Sequence, residues 1–321
     1  MTRQGIICAG NWIVDIVHTI DTWPRKSDLV HIRDEAVGVG GGPANVAVDL
    51  SRMGFADPLY AVGLIGQDLH AQTVLTACNT AGIDTHGLRQ SNRAPTAHTH
   101  VMTVPGDSRT FFYHPGTNDL LDAPDIDLSP NARIFYLGYI NLLGTLDRIG
   151  PDGRTPASHV LERAQAQGML TCADLVSSDS PQFRAAVTAS LPHLDILFLN
   201  EVEAARATGM GIDRPDDQTA IARAALDLLA GGAKAVVIHT PELSLWHTGD
   251  AAIWATPDPV DPASIISPVG AGDAFCAGVI WGVYHGWHPA RSMALGHRAA
   301  AAALRGATAS DGIPPIAALL R

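Results

Sequence analysis

The sequence predicts an α/β fold: a doubly wound, mostly parallel sheet flanked by helices, with a small β-sheet inserted into it. Three observations carry this. Short apolar runs alternate with helical patterns along most of the 321 residues. Two stretches interrupt the alternation with partial period-2 patterning. Near the end of the chain, Gly270-Ala271-Gly272-Asp273 forms a small-residue turn at the start of a helical pattern, with a carboxylate in its first turn.

The runs Gly5 to Ala9, Arg133 to Leu137, Met169 to Ala173, Asp195 to Leu199 and Ala235 to Ile238 are apolar without alternation. Strands covered on both faces of a parallel sheet have this composition, and each run is expected to lead into a helix. The helix after the first glycine-rich segment is typical. Pro43 suits its first turn, Val46, Leu50 and Met53 share a face, and Gly54 stops it. Residues 15–37 and 95–114 are rich in Val, Ile, Thr, His and Phe and lack helical periodicity. They read as a separate small sheet acting as a lid, against the alternative of edge strands of the main sheet. The main α/β domain is then 1–14, 38–94 and 115–321. The last helix-opening turn is followed by Phe275, Val279, Ile280 and Val283 on a helical repeat.

Composition narrows the function. With 21 basic against 32 acidic residues the formal charge is -11, which argues against a nucleic-acid or anionic membrane surface and favours a small ligand. The four cysteines are far apart with no CxxC pair, as expected of a chain in a reducing cytoplasm. There is no recognisable export signal or run long enough to span a membrane. The only lysines are Lys26 and Lys234, against 19 arginines, and neither follows a glycine. A Walker A loop is therefore excluded. The glycines of Gly38-Val39-Gly40-Gly41-Gly42 do not have the GxGxxG spacing of a dinucleotide-binding turn. His285 with His288, and His98 with His100, share a helix or strand face but have no third ligand at suitable spacing, so no structural metal is expected.

The chemistry is expected at Asp273. Backbone amides of the first helical turn have no intrahelical partner, and the helix dipole favours negative charge there. Bare glycines let an anion approach them closely. A carboxylate beside such an anion site can take a proton from a hydroxyl nucleophile during phosphoryl transfer. An ionised Asp that merely caps the helix fits the same pattern.

Several ordered motifs then bear on the choice. Gly40-Gly41-Gly42-Pro43-Ala44-Asn45-Val46-Ala47 and Gly270-Ala271-Gly272-Asp273-Ala274-Phe275 resemble the two signatures of the PfkB, or ribokinase-like, carbohydrate kinases. Val62-Gly63-Leu64-Ile65-Gly66-Gln67-Asp68, Ala81-Gly82-Ile83-Asp84-Thr85, Gly106-Asp107-Ser108-Arg109-Thr110-Phe111 and Asn200-Glu201-Val202-Glu203 match in order and spacing between them. The resemblance spans nearly the whole chain. It implies an ATP-dependent kinase of a sugar or sugar-like hydroxyl, with Asp273 as general base and the amides of Gly270, Ala271 and Gly272 as anion hole. It implies that Asp15, Gly41, Gly42 and Asn45 bind substrate. It also implies that Asn200, Glu203 and Thr240 serve the nucleotide, with Glu203 organising Mg²⁺ through water, and that a homodimer forms through the lid. A nucleoside kinase of the same fold, or a sugar or nucleotide sensor without activity, are the competing expectations.

The chain departs from the family pattern at four places. Ser267-Pro268 stands where the second signature usually has Asp-Thr, which argues against activation by a monovalent cation. Asp174-Leu175-Val176-Ser177-Ser178 lacks the arginine common in that segment, which argues against a substrate that needs a bidentate anion clamp at that spot. His239-Thr240-Pro241-Glu242-Leu243-Ser244 lacks the usual glycine, and Gly296 to Ala300 lacks the usual asparagine.

Overall fold

In the computed structural model, residues 3–105 and 109–321 are described, so the first three residues of the Gly106 to Phe111 motif lie outside the described residues. The main sheet has nine strands, introduced here in chain order with those of the smaller sheet. They are β1 (Ile6–Gly10), β2 (Ile13–Ile20), β3 (Ile32–Gly40), β4 (Leu59–Ile65), β5 (Asp84–Gln90), β6 (His98–Thr103) and β7 (Arg109–His114). Next come β8 (Ile134–Ile140), β9 (Leu170–Leu175), β10 (Ile196–Asn200), β11 (Val236–His239), β12 (Ser244–His247) and β13 (Ala252–Ala255). The order across the main sheet is β13-β12-β11-β10-β9-β8-β1-β4-β5. The pairings from β11 through β5 are parallel, whereas β12 and β13 pair antiparallel at one edge.

The five apolar runs become β1, β8, β9, β10 and β11, each starting one residue later than its run. Alternate residues serve opposite layers. Ile6 and Cys8 of β1 join a core with α1 (Gly42–Met53), α2 (Leu69–Thr80), α7 (Ala271–Tyr284) and α8 (Pro289–Ala303). Ile7 and Ala9 join a second core with α3 (Pro156–Ala166), α4 (Phe183–Ser190), α5 (Glu201–Thr208) and α6 (Gln218–Ala230). Both faces are thus apolar, which is why these strands show no alternation.

Two of the runs do not lead into a helix. The chain leaves β1 directly into β2, and it leaves β11 into the β12–β13 hairpin. The turn after β11 is closed by Thr240, whose hydroxyl accepts from the backbone N–H groups of Glu242 (3.1 Å) and Leu243 (3.0 Å). That hydroxyl-closed turn reverses the chain where a helix was expected.

The four remaining strands form a separate sheet in the order β3-β2-β6-β7. It is assembled from two insertions, one after β1 and one after β5. Its strands overrun the expected interval at both ends of the first insertion, because Ile13 still pairs with Gly40. Parallel pairing of β2 with β6 brings Asp15 beside Thr99, which in turn faces Tyr113 on β7.

Candidate active site

Successive strands lead away from the middle of the sheet in both directions, through β1, β4 and β5 on one side and through β8 to β11 on the other. In such sheets a crevice opens beyond the carboxyl ends of the strands where the order reverses. Here that point lies at β1 and β8, and a cleft of about 680 Å³ occupies it. The strand ends deliver Tyr139 (β8), Asp174 (β9), Asn200 (β10) and His239 (β11) to its lining, while the small sheet contributes Asp15, Thr99, Arg109, Phe111 and Tyr113.

Asp273 sits in the first turn of α7 and is 7% exposed. Helix α7 begins with Gly270 as its cap in the left-handed conformation, φ 77°. A side chain there would also collide with Ala309, whose Cβ would lie 2.6 Å from the added carbon. The absence of a Cβ therefore lets the 309 backbone pack against the turn that presents the amides. Tyr139 Oη donates to both carboxylate oxygens of Asp273, at 2.7 and 2.9 Å, and Asn45 Nδ2 donates to Oδ2 at 2.8 Å. Oδ1 thus keeps an accepting position that no side chain among the described residues fills. Burial pushes the Asp273 carboxyl up to about 6, against the opposing pull of the Asn45 and Tyr139 hydrogen bonds. The carboxylate is ionised at neutral pH yet basic enough to accept a proton, which a solvated capping Asp is not. Burial and the neighbouring Asp273 hold the Tyr139 phenol well above its ordinary value, so it remains a donor.

Asp15 is also pushed up to about 6, chiefly by burial and with a contribution from Asp273, while Thr99 hydrogen bonding pulls the other way. Asn45 is buried, and its Oδ1 has no partner among the described residues. With Nδ2 spent on Asp273, that oxygen is an acceptor available to a ligand hydroxyl.

A second group of acids lies at the β9 and β10 ends. Asn200 caps α5: its Oδ1 accepts from Glu203 N at 2.9 Å, and Glu203 Oε2 accepts from Asn200 N at 2.9 Å. Ser177 Oγ donates to Glu203 Oε1 at 2.9 Å. Burial raises both Glu203 and Asp174; each is raised further by neighbouring acids, which include Asp273 in both cases and Glu203 in that of Asp174. Buried carboxylates that repel one another favour a cation between them, so this corner fits a divalent ion. Among the described residues no three His, Cys, Asp or Glu side chains converge as a direct ligand set. Mg²⁺ has little need of one, because it keeps several waters and is completed by phosphate oxygens.

The fold thus brings Asp15, Gly41, Asn45, Asn200, Glu203, Gly270, Gly272 and Asp273 around one cleft. Gly42 and Ala271 stand behind the lining, at the starts of α1 and α7. Gly42 packs so close to Tyr139 that an added Cβ would lie 2.8 Å from its ring. Thr240 does not line the cleft; its hydroxyl also donates to Pro215 O at 2.8 Å, and the neighbouring His239 lines the cleft beside Gly272 instead. A Cβ on Gly272 would come within 3.3 Å of the His239 ring. Burial and His297 push His239 down to about 4, so it is neutral at pH 7. Tyr139 was not singled out from sequence. The available signal was its place at the end of an apolar strand run, which acquires meaning only when that strand is known to border the crevice.

The sequence profile of the family described as pfkB family carbohydrate kinase matches residues 4–315. The chain is 25% identical to ribokinase of Arabidopsis thaliana over 281 residues, covering 85% of this chain and 68% of that protein. It is 26% identical to 5-dehydro-2-deoxygluconokinase of Geobacillus thermodenitrificans over 290 residues, covering 87% and 82%. The structure of Arabidopsis thaliana ribokinase complexed with ribose and ATP superposes with a TM-score of 0.81 at 22% identity, covering 100% of this chain and 98% of that one.

Proposed function

The chain belongs to the PfkB family of carbohydrate kinases and is an ATP-dependent sugar kinase; on that premise we propose that it transfers the γ-phosphoryl group of ATP to a primary hydroxyl, with Asp273 as the base. The observation that carries this reading is the environment of Asp273, a recessed carboxylate poised near 6 at a helix N-terminus. The acceptor hydroxyl donates to the open position on Oδ1 and passes its proton to Asp273 as its oxygen bonds to phosphorus. The bond to the ADP oxygen breaks in the same displacement. An unhindered CH₂OH is the hydroxyl that reaches so recessed a base most readily.

Asp15, the backbone of Gly41 and Gly42, and Asn45 Oδ1 hold the other hydroxyls. The amides of Gly270 to Gly272 meet the charge developing on the transferred group, in a site where water is scarce and their effect is strong. Asn200 and Glu203 lie on the phosphate side. Mg²⁺, held there by Glu203 through water, neutralises phosphate charge when bound. The small sheet closes over the substrate and excludes water, which limits loss of the phosphoryl group by hydrolysis.

Asp273→Asn tests the assignment. ADP release with a panel of pentoses, hexoses, sugar acids and nucleosides should fall by about 10²- to 10⁴-fold, the usual contribution of a base, while sugar affinity by calorimetry stays within a few-fold. Full turnover in the variant refutes the mechanism. Ligand-induced thermal stabilisation of the wild type without ADP formation would mark a sensor, and preference for a nucleoside would mark the other kinase class.

We also assign a homodimer through the small sheet. In the row Val37, Ile16, His100 and Phe112 across the strands, Ile16 packs against the main core, while Val37 and Phe112 at its two ends are 52% and 57% exposed and available to a second copy. A monomer mass by light scattering at micromolar concentration would refute it.

A further inference from the structure

From the lining of the same cleft we infer that the substrate carries a carboxylate and that Arg109 binds it, which makes this kinase selective for sugar acids over neutral sugars. The inference rests on the cleft being the sugar site.

Arg109 opens β7 and faces Thr103 on β6. Alternation along β7 puts Arg109, Phe111 and Tyr113 on one face, and all three line the cleft. Among the described lining residues it is the one lysine or arginine. Its Nη1 is shielded from solvent and has no hydrogen-bond partner among the described residues. No described carboxylate pairs with it either: burial alone lowers the guanidinium from its usual range. Among the described residues its one charge-related contact is the Phe111 ring, whose centroid is 5.5 Å from Cζ. A ring face offsets part of a cation's desolvation but accepts none of its in-plane hydrogens.

A shielded guanidinium nitrogen with no acceptor is costly unless a ligand supplies one, and an anion does so with matching charge. Water could serve a neutral ligand, but it would leave this charge without a counter-charge among the described residues. The rest of the lining sharpens the argument. Asp15, Asp174, Glu203 and Asp273 are all acids, so an anionic substrate is accepted only where its charge falls on Arg109. A single guanidinium matches one carboxylate in charge and in its paired donors, whereas a phosphate dianion calls for further cations that the lining lacks. The arginine missing after Asp174 removes the anion clamp from the β9 side, and Arg109 supplies one from the small sheet. Arg109 and Asp15 sit four residues apart along the sheet, roughly 13 Å at the rise of a strand. The carboxylate therefore lies at the end of the substrate remote from the hydroxyl that Asp273 deprotonates.

The test compares kcat/KM of the wild-type enzyme, with Mg-ATP, for five- and six-carbon aldonic and deoxyketo-aldonic acids, the neutral sugars of equal length, and hexose monophosphates. The best acid should exceed its neutral counterpart by at least about 10-fold. Arg109→Gln should then lower kcat/KM for that acid by about 10- to 100-fold, mostly through KM, as expected for loss of a hydrogen bond between charged groups. The KM for ATP should move less than about twofold. Neutral sugars equal to or better than every acid, preference for the phosphates, or a rise confined to the KM for ATP would each overturn the inference while leaving a sugar kinase in place. Absence of ADP with every compound would remove the underlying reading, and this one with it. If the variant does not fold, the wild-type ratio of acid to neutral substrate decides the question alone.

Discussion

Tyr139→Phe removes one oxygen from the cleft, and the structure sets the size of the consequence. The phenol donates to both oxygens of Asp273, at 2.7 and 2.9 Å, and it favours the ionised carboxylate. A hydrogen bond to a charged group contributes about 1.5–3 kcal/mol. At 1.36 kcal/mol per pKa unit, its loss moves Asp273 up by about one to two units from its present value near 6. The assay is kcat/KM against pH, from about 5 to 9, for wild type and variant with the best substrate. The wild-type profile should fall on its acid side with an apparent pKa near 6, shared between Asp273 and the similarly placed Asp15. In Tyr139→Phe that limb should move to about 7–8, with activity partly recovered above it. Phenylalanine fills the same ring space against Gly42, so packing is conserved. An acid limb that stays in place while the alkaline plateau drops would refute the reasoning, because Tyr139 would then act on the substrate and not on the base.

Two further outcomes follow from the buried acids. Because Asp273 binds its proton more tightly in the folded than in the unfolded chain, its contribution to stability is fully present below about pH 4 and is lost as pH rises through about 6; the melting temperature of Asp273→Asn relative to wild type should therefore increase between pH 4 and 7 in ligand-free protein, by the equivalent of about 2–3 kcal/mol, and a difference flat with pH would contradict it. Glu203→Gln keeps one carbonyl oxygen to accept from the Asn200 amide and turns an NH₂ toward the Ser177 hydroxyl, which can rotate to accept from it; because the charge is lost, half-saturation by free Mg²⁺ should rise about 10-fold with only a small change in melting temperature, whereas superimposed Mg²⁺ activation curves would dismiss the role.

Strand runs, the capped helix after Pro43 and the Gly270 turn were legible because each depends on a few neighbouring residues. Burial on both faces makes Ile6 to Ala9 and Ile196 to Leu199 continuous apolar runs, and those patterns need no knowledge of partners. The hairpin after β11 was not legible, because Thr240 gives little signal until its hydroxyl is seen closing the turn. Arg109 stood within a recognised motif, but that its Nη1 is buried without a partner depends on how the small sheet meets the cleft. Tyr139 lies 134 residues from the carboxylate that it holds, and Asn45 lies 228. Such distances along the chain leave no local trace.

The sequence by itself determined the class of fold, the family and the place of Asp273 in a glycine-rich turn that opens a helix, because local patterning and glycine-rich turns are written in consecutive residues. Tertiary structure decided how tightly the Asp273 carboxylate holds a proton. Its proton affinity follows from burial, from the Tyr139 and Asn45 donors and from nearby acids, and all of these are set by the meeting of elements that only the folded sheet brings together.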